Sequence, residues 1–531
     1  MVSKDLFARE ALAQIPKILT LLDRNPHSPT YGCFDRNFWH YKIIDFPSGM
    51  AQEFVWPLAL AYEADLPGNP YYQQPRIKDW VEAGILFAVR AAHPDGSCDD
   101  YFPYERATGA TAFSLLACLE SYVALGLMDY ETLQFFERRA NWLANHHESG
   151  QLANHEALII LCLERLGQVL QTPQWRRLIA ARLEKLLSWQ SEEGWFTEYE
   201  GCDPGYQTLT ISCLARLQAI RPDPRLQKSL VKAVELAAHF IHPDGTYGGE
   251  YTSRNTYNFF PHGFELVGQW LPDALRINDR FLQGLNHGLS PCYADDHIIG
   301  HHTWNYLLAW RDFVPERPIP KSRDVASLWL KKAQILIKRR PNVELYIALN
   351  KGGVFKLFRD NKLLISDTQI SLQVRQGKYL KNAVGHLVSP YEITVEQDEI
   401  TIAGRLGWAK QTQMSPWKLI VLRLVMLSVG RFFPDLIRKT LQKILITGKQ
   451  LAPFQFKRQF LWENNQWHIL DHLYADSWQD VTSAGIDCAQ TSIYVVMSRT
   501  FQSGQLQPWI DLMPQIQRLN PGQPLMIKRS F

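Results

Sequence analysis

Apolar residues recur at spacings of three and four along residues 77–270, and this period predicts amphipathic helices. The helices form four pairs that share one plan: a helix, a polar turn with a glycine, an aromatic or polar stretch, and a second helix. The turn glycines are Gly96, Gly150, Gly194 and Gly245, which lie 54, 44 and 51 residues apart. We expect a positive φ at each of them, because glycine adopts that conformation without steric cost where a helix ends.

Helix pairs repeated at this period cannot bury their apolar faces alone, so they must stack into an open solenoid or a closed ring. The segments between the paired helices are long and rich in Tyr, Trp, Glu, Asn and His, and a ring would gather them over one cleft. We therefore predict an α/α toroid, an incomplete barrel of helix pairs, over residues 1–315. A Pro-rich stretch then opens a linker at 316–338. An open solenoid with unrelated polar loops is the alternative.

From about Arg339 the helix period gives way to short alternating runs broken by Gly, Asn and Asp, which predict strands. The fold class is thus α+β multidomain, with an antiparallel β-sandwich over residues 339–531. Residues 414–449 interrupt it with a strongly apolar segment that holds seven Lys or Arg and one Asp, and that indicates two helices broken at Pro434. Such a segment suits peripheral contact with an anionic membrane, or its apolar face packs on the toroid or on a second subunit of a homo-oligomer.

Composition and charge exclude some classes of function and favour others. The net charge is +3 and the basic residues are mostly dispersed, so we expect no nucleic-acid partner. Aromatic residues make up 12% of the chain, with 17 Trp and 21 Tyr, which suits a carbohydrate site, although a large helical core also uses Trp. Eight scattered cysteines, an N-terminus unlike a signal peptide and the lack of a long apolar run predict a cytoplasmic protein, peripheral at the inner membrane face.

Two of the predicted loops carry groups suited to β-elimination from a uronic-acid-containing polysaccharide. That reaction needs a neutralised carboxylate, a base and an acid, but no metal or cofactor. Asn154 and His155 open a helix of the second repeat, and Tyr206 opens the corresponding helix 52 residues later. A ring would bring these three catalytic candidates to adjacent turns of one cleft.

The Asn-His pair of ANHEALIILCLERLG, followed one repeat later by EGWFTEYEGCDPGYQ, resembles the heparinase II/III-type polysaccharide lyases. The resemblance implies an α/α toroid followed by a β-sandwich, and a carbon–oxygen lyase acting on an acidic polysaccharide or oligosaccharide, for example in bacterial exopolysaccharide metabolism. It implies that Asn154 neutralises the carboxylate, that Tyr206 acts as acid and base, and that His155 orients the pair or contacts sugar. Family members also carry a His near the start of the β domain, where this chain offers only His386.

Substrate-binding candidates come from the loops of the third and fourth repeats. The third supplies Trp195 and Glu198. The fourth, GGEYTSRNTYNFFPHGFE, is the densest polar-aromatic cluster of the chain and supplies Tyr251, Arg254, Asn255, Tyr257 and His262. A guanidinium can bind a sugar carboxylate through two parallel hydrogen bonds, which favours Arg254 for that task. Alternatively, Arg254 forms a structural salt bridge with Glu250 or Glu265.

Three other interpretations remain open. The run DDHIIGHH has a spacing that could hold zinc, although we assign no metal site, and its candidate ligands are Asp295, Asp296, His297, His301 and His302. A toroid can also host a glycoside hydrolase with paired carboxylates, here drawn from Asp99, Asp100, Glu105, Glu198 and Glu200. The third interpretation is a non-catalytic protein that binds or assembles a glycan near the membrane.

Overall fold

The computed structural model describes residues 3–531 except 149, 199–200, 294–295, 322–325, 410–413, 435, 438–439, 441–449, 490–497 and 521. Helices make up its N-terminal part: α1 (Asp5–Leu12), α2 (Ile15–Leu21), α3 (Val55–Glu63), α4 (Pro75–Ala91), α5 (Thr108–Ala124), α6 (Tyr130–Asn145), α7 (Ala153–Val169), α8 (Arg176–Ser188), α9 (Pro204–Ile220), α10 (Pro224–Phe240), α11 (His262–Gly268), α12 (Asp273–Asn286) and α13 (Asp296–Arg311). A π-helical turn (Asn37–Tyr41) and a 3-10 helix (Gly49–Phe54) precede α3.

Six of these helices form a closed inner ring. In the order α3, α5, α7, α9, α11 and α13 each helix packs on the next, and α13 packs back on α3. Helices α5, α7 and α9 are buried on nearly all sides, whereas α4, α6, α8, α10 and α12 bury one face and form the outer layer. An all-round apolar surface is what a fully enclosed helix requires. The toroid is therefore confirmed, and the open-solenoid alternative is wrong.

The turn glycines explain how neighbouring repeats lock together. Gly96, Gly150, Gly194 and Gly245 all have positive φ, between +88° and +104°, as predicted. A Cβ at Gly96 would lie 2.6 Å from the backbone nitrogen of Arg139 on α6, the next outer helix. Cβ atoms at Gly194 and Gly245 would approach the backbone of α10 and α12 equally closely, at 2.5 Å. These three turns thus fit directly against the following outer helix, whereas a Cβ at Gly150 would meet nothing within 4 Å.

The C-terminal part is built from antiparallel strands. They are β2 (Leu328–Leu330), β3 (Ile335–Arg340), β4 (Val343–Ala348), β5 (Val354–Arg359), β6 (Lys362–Asp367), β7 (Ile370–Gln376), β8 (Tyr379–Val384), β9 (Glu392–Val395), β10 (Glu399–Ala409), β11 (Gln450–Glu463), β12 (Gln466–Ala475), β13 (Val481–Ile486), β14 (Ser498–Arg499), β15 (Ile510–Asp511) and β16 (Leu525–Ser530). Strands β2 to β6 form one sheet in sequence order; the larger sheet has the order β15-β13-β7-β8-β10-β11-β12-β16, with β9 beside β10. A short strand of the toroid, β1 (Cys292–Tyr293), pairs with β14 and so joins the two parts.

The five-stranded sheet lies between the toroid and the larger sheet, and all six residues of β4 are buried. Side chains of its first face, such as Ile337 and Tyr346, belong to the toroid core, whereas Leu345 and Ile347 pack against the larger sheet. Alternate residues of a strand point to opposite faces of the sheet, so one strand contributes side chains to both hydrophobic cores. The predicted fold class, toroid followed by an antiparallel sandwich, is confirmed.

Some details differ from the prediction or lie outside the description. Strand β2 lies within the segment predicted as a linker, 316–338, and strand β3 begins within it. The helical insertion begins with α14 (Pro416–Val425) and a π-helical turn (Met426–Gly430), and most of the second predicted helix lies outside the described residues. A last short helix, α15 (Met513–Ile516), precedes β16. Over the described residues, no helix is both long and apolar enough to cross a membrane. All eight cysteines are free.

Candidate functional site

The starts of α7 and α9 bring the catalytic candidates together. Asn154 and His155 lie in the first turn of α7, and Tyr206 lies in the first turn of α9. The N-cap of α9 is Asp203, whose carboxylate accepts a hydrogen bond from the backbone N–H of Tyr206 at 2.9 Å. Such a cap satisfies one of the unpaired N–H groups that every helix start exposes.

The same carboxylate of Asp203 fixes the loop of the fourth repeat above α9. It accepts hydrogen bonds from the hydroxyls of Thr252 (3.0 Å) and Thr256 (2.5 Å) and from the backbone N–H of Arg254 (3.1 Å). Asp203 was not among the predicted site residues, although its position before Pro204 is a typical helix-start signal. Because one side chain organises both segments, the position of Arg254 over α9 is set by the fold itself.

Arg254 contacts two other candidates at once. Its guanidinium donates to Glu198 Oε1 at 2.8 Å and lies 4.5 Å from the centroid of the Tyr206 ring. All three side chains are largely buried, with Glu198 only 2% exposed. Burial raises the pKa of Glu198 above its ordinary value, although the charges of Arg254 and His155 act in the opposite direction. Arg254 therefore forms a salt bridge within the protein, as the alternative interpretation expected, but its partner is Glu198 and not Glu250 or Glu265.

Asn154 completes this group beside Glu198. An antiparallel bridge between Leu152 and Glu198 places the start of α7 beside Glu198, and Asn154 is close enough to lower the pKa of that carboxyl. Asn154 is only 1% exposed, and neither polar atom of its amide makes a hydrogen bond of normal geometry with a described residue. Buried amides are almost always paired, so an unpaired one marks a place where a bound molecule could supply the partner.

His155 is held by an acidic partner that sequence reasoning missed. Its Nδ1 lies 2.7 Å from Glu148 Oε2. Burial alone would lower the pKa of His155, but the charge and hydrogen bond of Glu148 outweigh burial and raise it. The ring also meets Phe113 edge-on, with 6.2 Å between centroids.

A second histidine lies on the other side of Phe113. The His301 ring stacks on Phe113 at 3.8 Å and forms an ion pair with Glu53, which also accepts a hydrogen bond from Trp304 Nε1 at 2.5 Å. Sequence reasoning considered His301 only as a zinc ligand. Its actual partner, Glu53, is nearly 250 residues away in the chain, so no local pattern could reveal the pair.

The zinc interpretation of residues 295–302 gains no support. His302 contacts other residues than His301 does: its ring stacks on Tyr293 at 3.7 Å and its Nε2 faces Asn258. Asp295 lies outside the described residues, as do the side chains of Asp296 and His297. Over the part of the chain that is described, no group of three His, Cys, Asp or Glu side chains has an arrangement that could hold a metal ion.

Lys351 of the β domain clamps the loop that carries Arg254. Its Nζ donates to the backbone carbonyls of Glu250 (2.7 Å) and Thr252 (2.9 Å) and to Asn255 Oδ1 at 2.5 Å. Asn255 has φ +60°, a left-handed conformation that Asn tolerates better than most residues. The predicted substrate-binding residue Asn255 thus holds the loop to the β domain in this structure.

Tyr257 lies in a buried charged cluster between the toroid and the β domain. Its hydroxyl donates to Glu250 at 2.5 Å, and Glu250 also pairs with Lys356 (3.3 Å) and with Arg499. Burial alone would raise the pKa of Glu250, but these two cations outweigh burial and lower it to about 2. Tyr257 thus serves the contact between the toroid and the β domain, and its hydroxyl is occupied by Glu250.

Three more substrate-binding candidates lie apart from Arg254. The Tyr251 hydroxyl is hydrogen-bonded to His242 at 2.9 Å inside the domain interface. Trp195 Nε1 donates to Glu193, which also accepts two backbone N–H groups from the β domain. His262 is buried among the inner helices, with Nε2 at 2.8 Å from Asp312, beyond the far end of α13. Loop sequence alone could not show which of these side chains turn away from Arg254.

His386, the only β-domain histidine that the resemblance offered, is buried as well. Its Nδ1 lies 3.1 Å from the carbonyl of Thr368. Burial lowers the pKa of His386 to about 3, helped by the nearby charge of Lys351, so the ring is neutral at physiological pH. The β domain thus meets the Arg254 loop through Lys351.

The carboxylates considered for a hydrolase hold their own loop. Asp99 accepts the backbone N–H groups of Tyr104 (2.7 Å) and Arg106 (2.9 Å), and Glu105 accepts those of Asp100 and Tyr101. Asp100 accepts a hydrogen bond from Ser48, and Glu200 lies outside the described residues. These bonds give Asp99, Asp100 and Glu105 a structural role in this loop.

Comparison with known proteins gives information on the fold. No family model and no curated protein matches the sequence. Among solved structures, the Streptomyces coelicolor chondroitin AC lyase in complex with chondroitin sulphate is 10% identical, with a TM-score of 0.57 over 91% of this chain and 68% of that one. Heparinase III is also 10% identical, with a TM-score of 0.51 over 92% of this chain and 72% of that one. The chain therefore has the fold of chondroitin AC lyase and heparinase III, an α/α toroid followed by a β domain.

Proposed function

We propose that this protein is a lyase that cleaves a uronic-acid-containing polysaccharide by β-elimination. The observation that carries the proposal is the contact of the Arg254 guanidinium with both Glu198 and the Tyr206 ring, beside the buried amide of Asn154, which makes no hydrogen bond of normal geometry with a described residue. A cation, a neutral amide and a phenol at one point are the groups that this reaction requires.

In the proposed reaction, the uronic carboxylate binds to the Asn154 amide and the Arg254 guanidinium, which offset its charge and so acidify the neighbouring C5–H. Tyr206, as its phenolate, takes the C5 proton and becomes a phenol, the electron pair of the C5–H bond forms the C4=C5 double bond, and the C4–O bond breaks. The same phenol then returns the proton to the leaving oxygen. A positive charge over the Tyr206 ring stabilises negative charge on its oxygen during transfer. His155, whose pKa Glu148 raises in spite of burial, supplies positive charge for binding the acidic sugar.

The proposed substrate class is an acidic polysaccharide or oligosaccharide, within bacterial exopolysaccharide metabolism in the cytoplasm. The related fold of an enzyme solved with chondroitin sulphate makes that polymer a suitable first substrate, followed by other uronic-acid polymers.

The test is Tyr206→Phe, which removes the hydroxyl and keeps the ring under Arg254. We expect elimination, followed by the ultraviolet absorbance of the unsaturated product, to fall about 100-fold or more, the usual contribution of a proton-transfer group. Binding of the polymer should remain. Tyr130→Phe, an exposed tyrosine at the start of an outer helix, is the matched control and should retain full activity.

The outcomes separate the proposed function from its alternatives. Turnover that persists in the Tyr206→Phe variant would exclude the assigned role of Tyr206. New reducing ends without ultraviolet absorbance would show that the protein is a glycoside hydrolase. Affinity for the polymer with neither signal would show a binding or assembly protein.

A further inference from the structure

The helical insertion exposes a row of large apolar side chains. No residue of α14 is buried, and in the π-helical turn that continues it only Met426 and Gly430 are buried. The apolar side chains on the other sides are exposed, with Trp417 at 77% and Phe432 at 71%. We call this surface the apolar ridge; its members are Trp417, Ile420, Val421, Leu424, Phe432 and Phe433.

Specific contacts fix the ridge to one end of the toroid. Arg423 pairs with Asp45 at 2.8 Å, and the Arg431 guanidinium lies 5.8 Å from the ring centroid of Tyr104. Tyr104 belongs to the loop before α5. The first turn of α5 packs closely on His155, as a Cβ added at Gly109 would lie only 2.7 Å from the His155 ring. The ridge therefore lies at the end of the toroid where α5, α7 and α9 begin.

Charge is concentrated on the same segment. Residues 414–449 hold seven Lys or Arg and one Asp, a net charge of +6, whereas the whole chain carries +3, so the rest of the molecule carries −3. Of these charged residues, Lys418, Arg423 and Arg431 lie in the described part of the segment, which holds no acidic residue. A two-fold contact between two ridges would bring these like charges face to face, which is unfavourable. A surface that is both apolar and positive matches acyl chains beneath anionic headgroups, with Trp and Phe at their boundary.

We propose that the apolar ridge docks the protein on the surface of an anionic phospholipid bilayer, with the ring end that carries Asn154 and Tyr206 near the membrane. The docking is peripheral: apolar side chains enter the boundary region, while basic side chains bind headgroups. This inference does not depend on the proposed lyase activity.

The test uses the full-length protein and sedimentation with vesicles of phosphatidylcholine alone or mixed with phosphatidylglycerol. We expect binding to the mixed vesicles, weaker binding to phosphatidylcholine alone, and a loss of binding as salt screens the charges. The double variant Trp417→Ser/Phe432→Ser should bind at least about tenfold more weakly, because two large apolar side chains no longer enter the bilayer. Met128→Ser/Ile319→Ser replaces two equally exposed apolar residues elsewhere and should bind like the unmodified protein.

Three results would overturn the proposal. One is the lack of binding to the mixed vesicles. Another is equal binding by the ridge double variant, since the ridge would then play no part. The third is a protein that forms a dimer in light scattering and does not bind vesicles, while the Trp417→Ser/Phe432→Ser variant is a monomer. The ridge would then bind a second copy of the chain.

Discussion

The buried pair of Arg254 and Glu198 allows a quantitative prediction for Arg254→Met. Methionine keeps much of the aliphatic volume but removes the charge, which leaves Glu198, 2% exposed, without its cation. Breaking a buried ion pair by removing one partner costs about 3–5 kcal/mol. We therefore expect the free energy of unfolding at neutral pH to fall by about that amount, measured by denaturant titration with tryptophan fluorescence.

The pH dependence of this loss has a definite sign. Burial already raises the pKa of Glu198 beside Arg254, and without Arg254 it should rise further. A carboxyl with a raised folded-state pKa destabilises the fold when it is ionised, and this cost disappears as pH falls toward its ordinary pKa of 4.5. The destabilisation by Arg254→Met should thus be greatest at neutral pH and should shrink in acid.

Two further variants check the reasoning. Adding Glu198→Gln to Arg254→Met should recover much of the lost stability, because no buried charge then remains without a partner. Arg76→Met, which breaks an exposed pair with Asp79, should cost less than about 1 kcal/mol. A loss of under 1 kcal/mol for Arg254→Met at neutral pH, or a loss that does not change with pH, would refute the argument that this pair is buried and coupled.

Two other outcomes follow from the structure. Burial lowers the pKa of the His262 ring to about 4, whereas the same ring in the unfolded chain binds a proton near pH 6.5. The free energy of unfolding should therefore fall as pH falls from about 6.5 toward 4, because only the unfolded chain gains a proton in that range. Relative to His262→Gln, the protein should lose about 3 kcal/mol across that window in unfolding titrations; a constant difference would contradict the neutral ring. Gly205→Ala should reduce turnover, because the new Cβ would lie 2.1 Å from Thr256 Oγ1 and displace the loop that carries Arg254. The relative loss of turnover should exceed the relative loss in the free energy of unfolding. Unchanged turnover in that variant would show that the loop position is not critical.

The fold was predictable because its signals are local and repeated. The period of the apolar residues predicts the helices, and the four turn glycines predict the repeat. The loops rich in polar and aromatic residues predict a ring that carries these loops together at one end. The proximity of Asn154, Tyr206 and Arg254 follows from that ring, since equivalent positions of neighbouring repeats lie side by side.

The remainder of the site depends on contacts between distant segments. The sequence offered Glu250 and Glu265 as partners of Arg254. The actual partner, Glu198, is selected by the hydrogen bonds of Asp203 to the fourth-repeat loop. Tyr257 lies in that same loop but turns to the β domain, where Arg499 and Lys356 surround Glu250. Loop composition can indicate a carbohydrate site, but the direction of each side chain is decided by the surface that packs on the loop.

The attachment of this loop to Lys351, Lys356 and Arg499 has a consequence for biosynthesis. The toroid helices leave the ribosome first, yet the carboxylate of Glu250 acquires its last cation only after residue 499 has been made. Until then Glu250 in the nascent chain lacks one of the cations that compensate its charge. The guanidinium of Arg254 should consequently reach its final position only after residue 499 has been made, so a shorter nascent chain would carry an immature cleft.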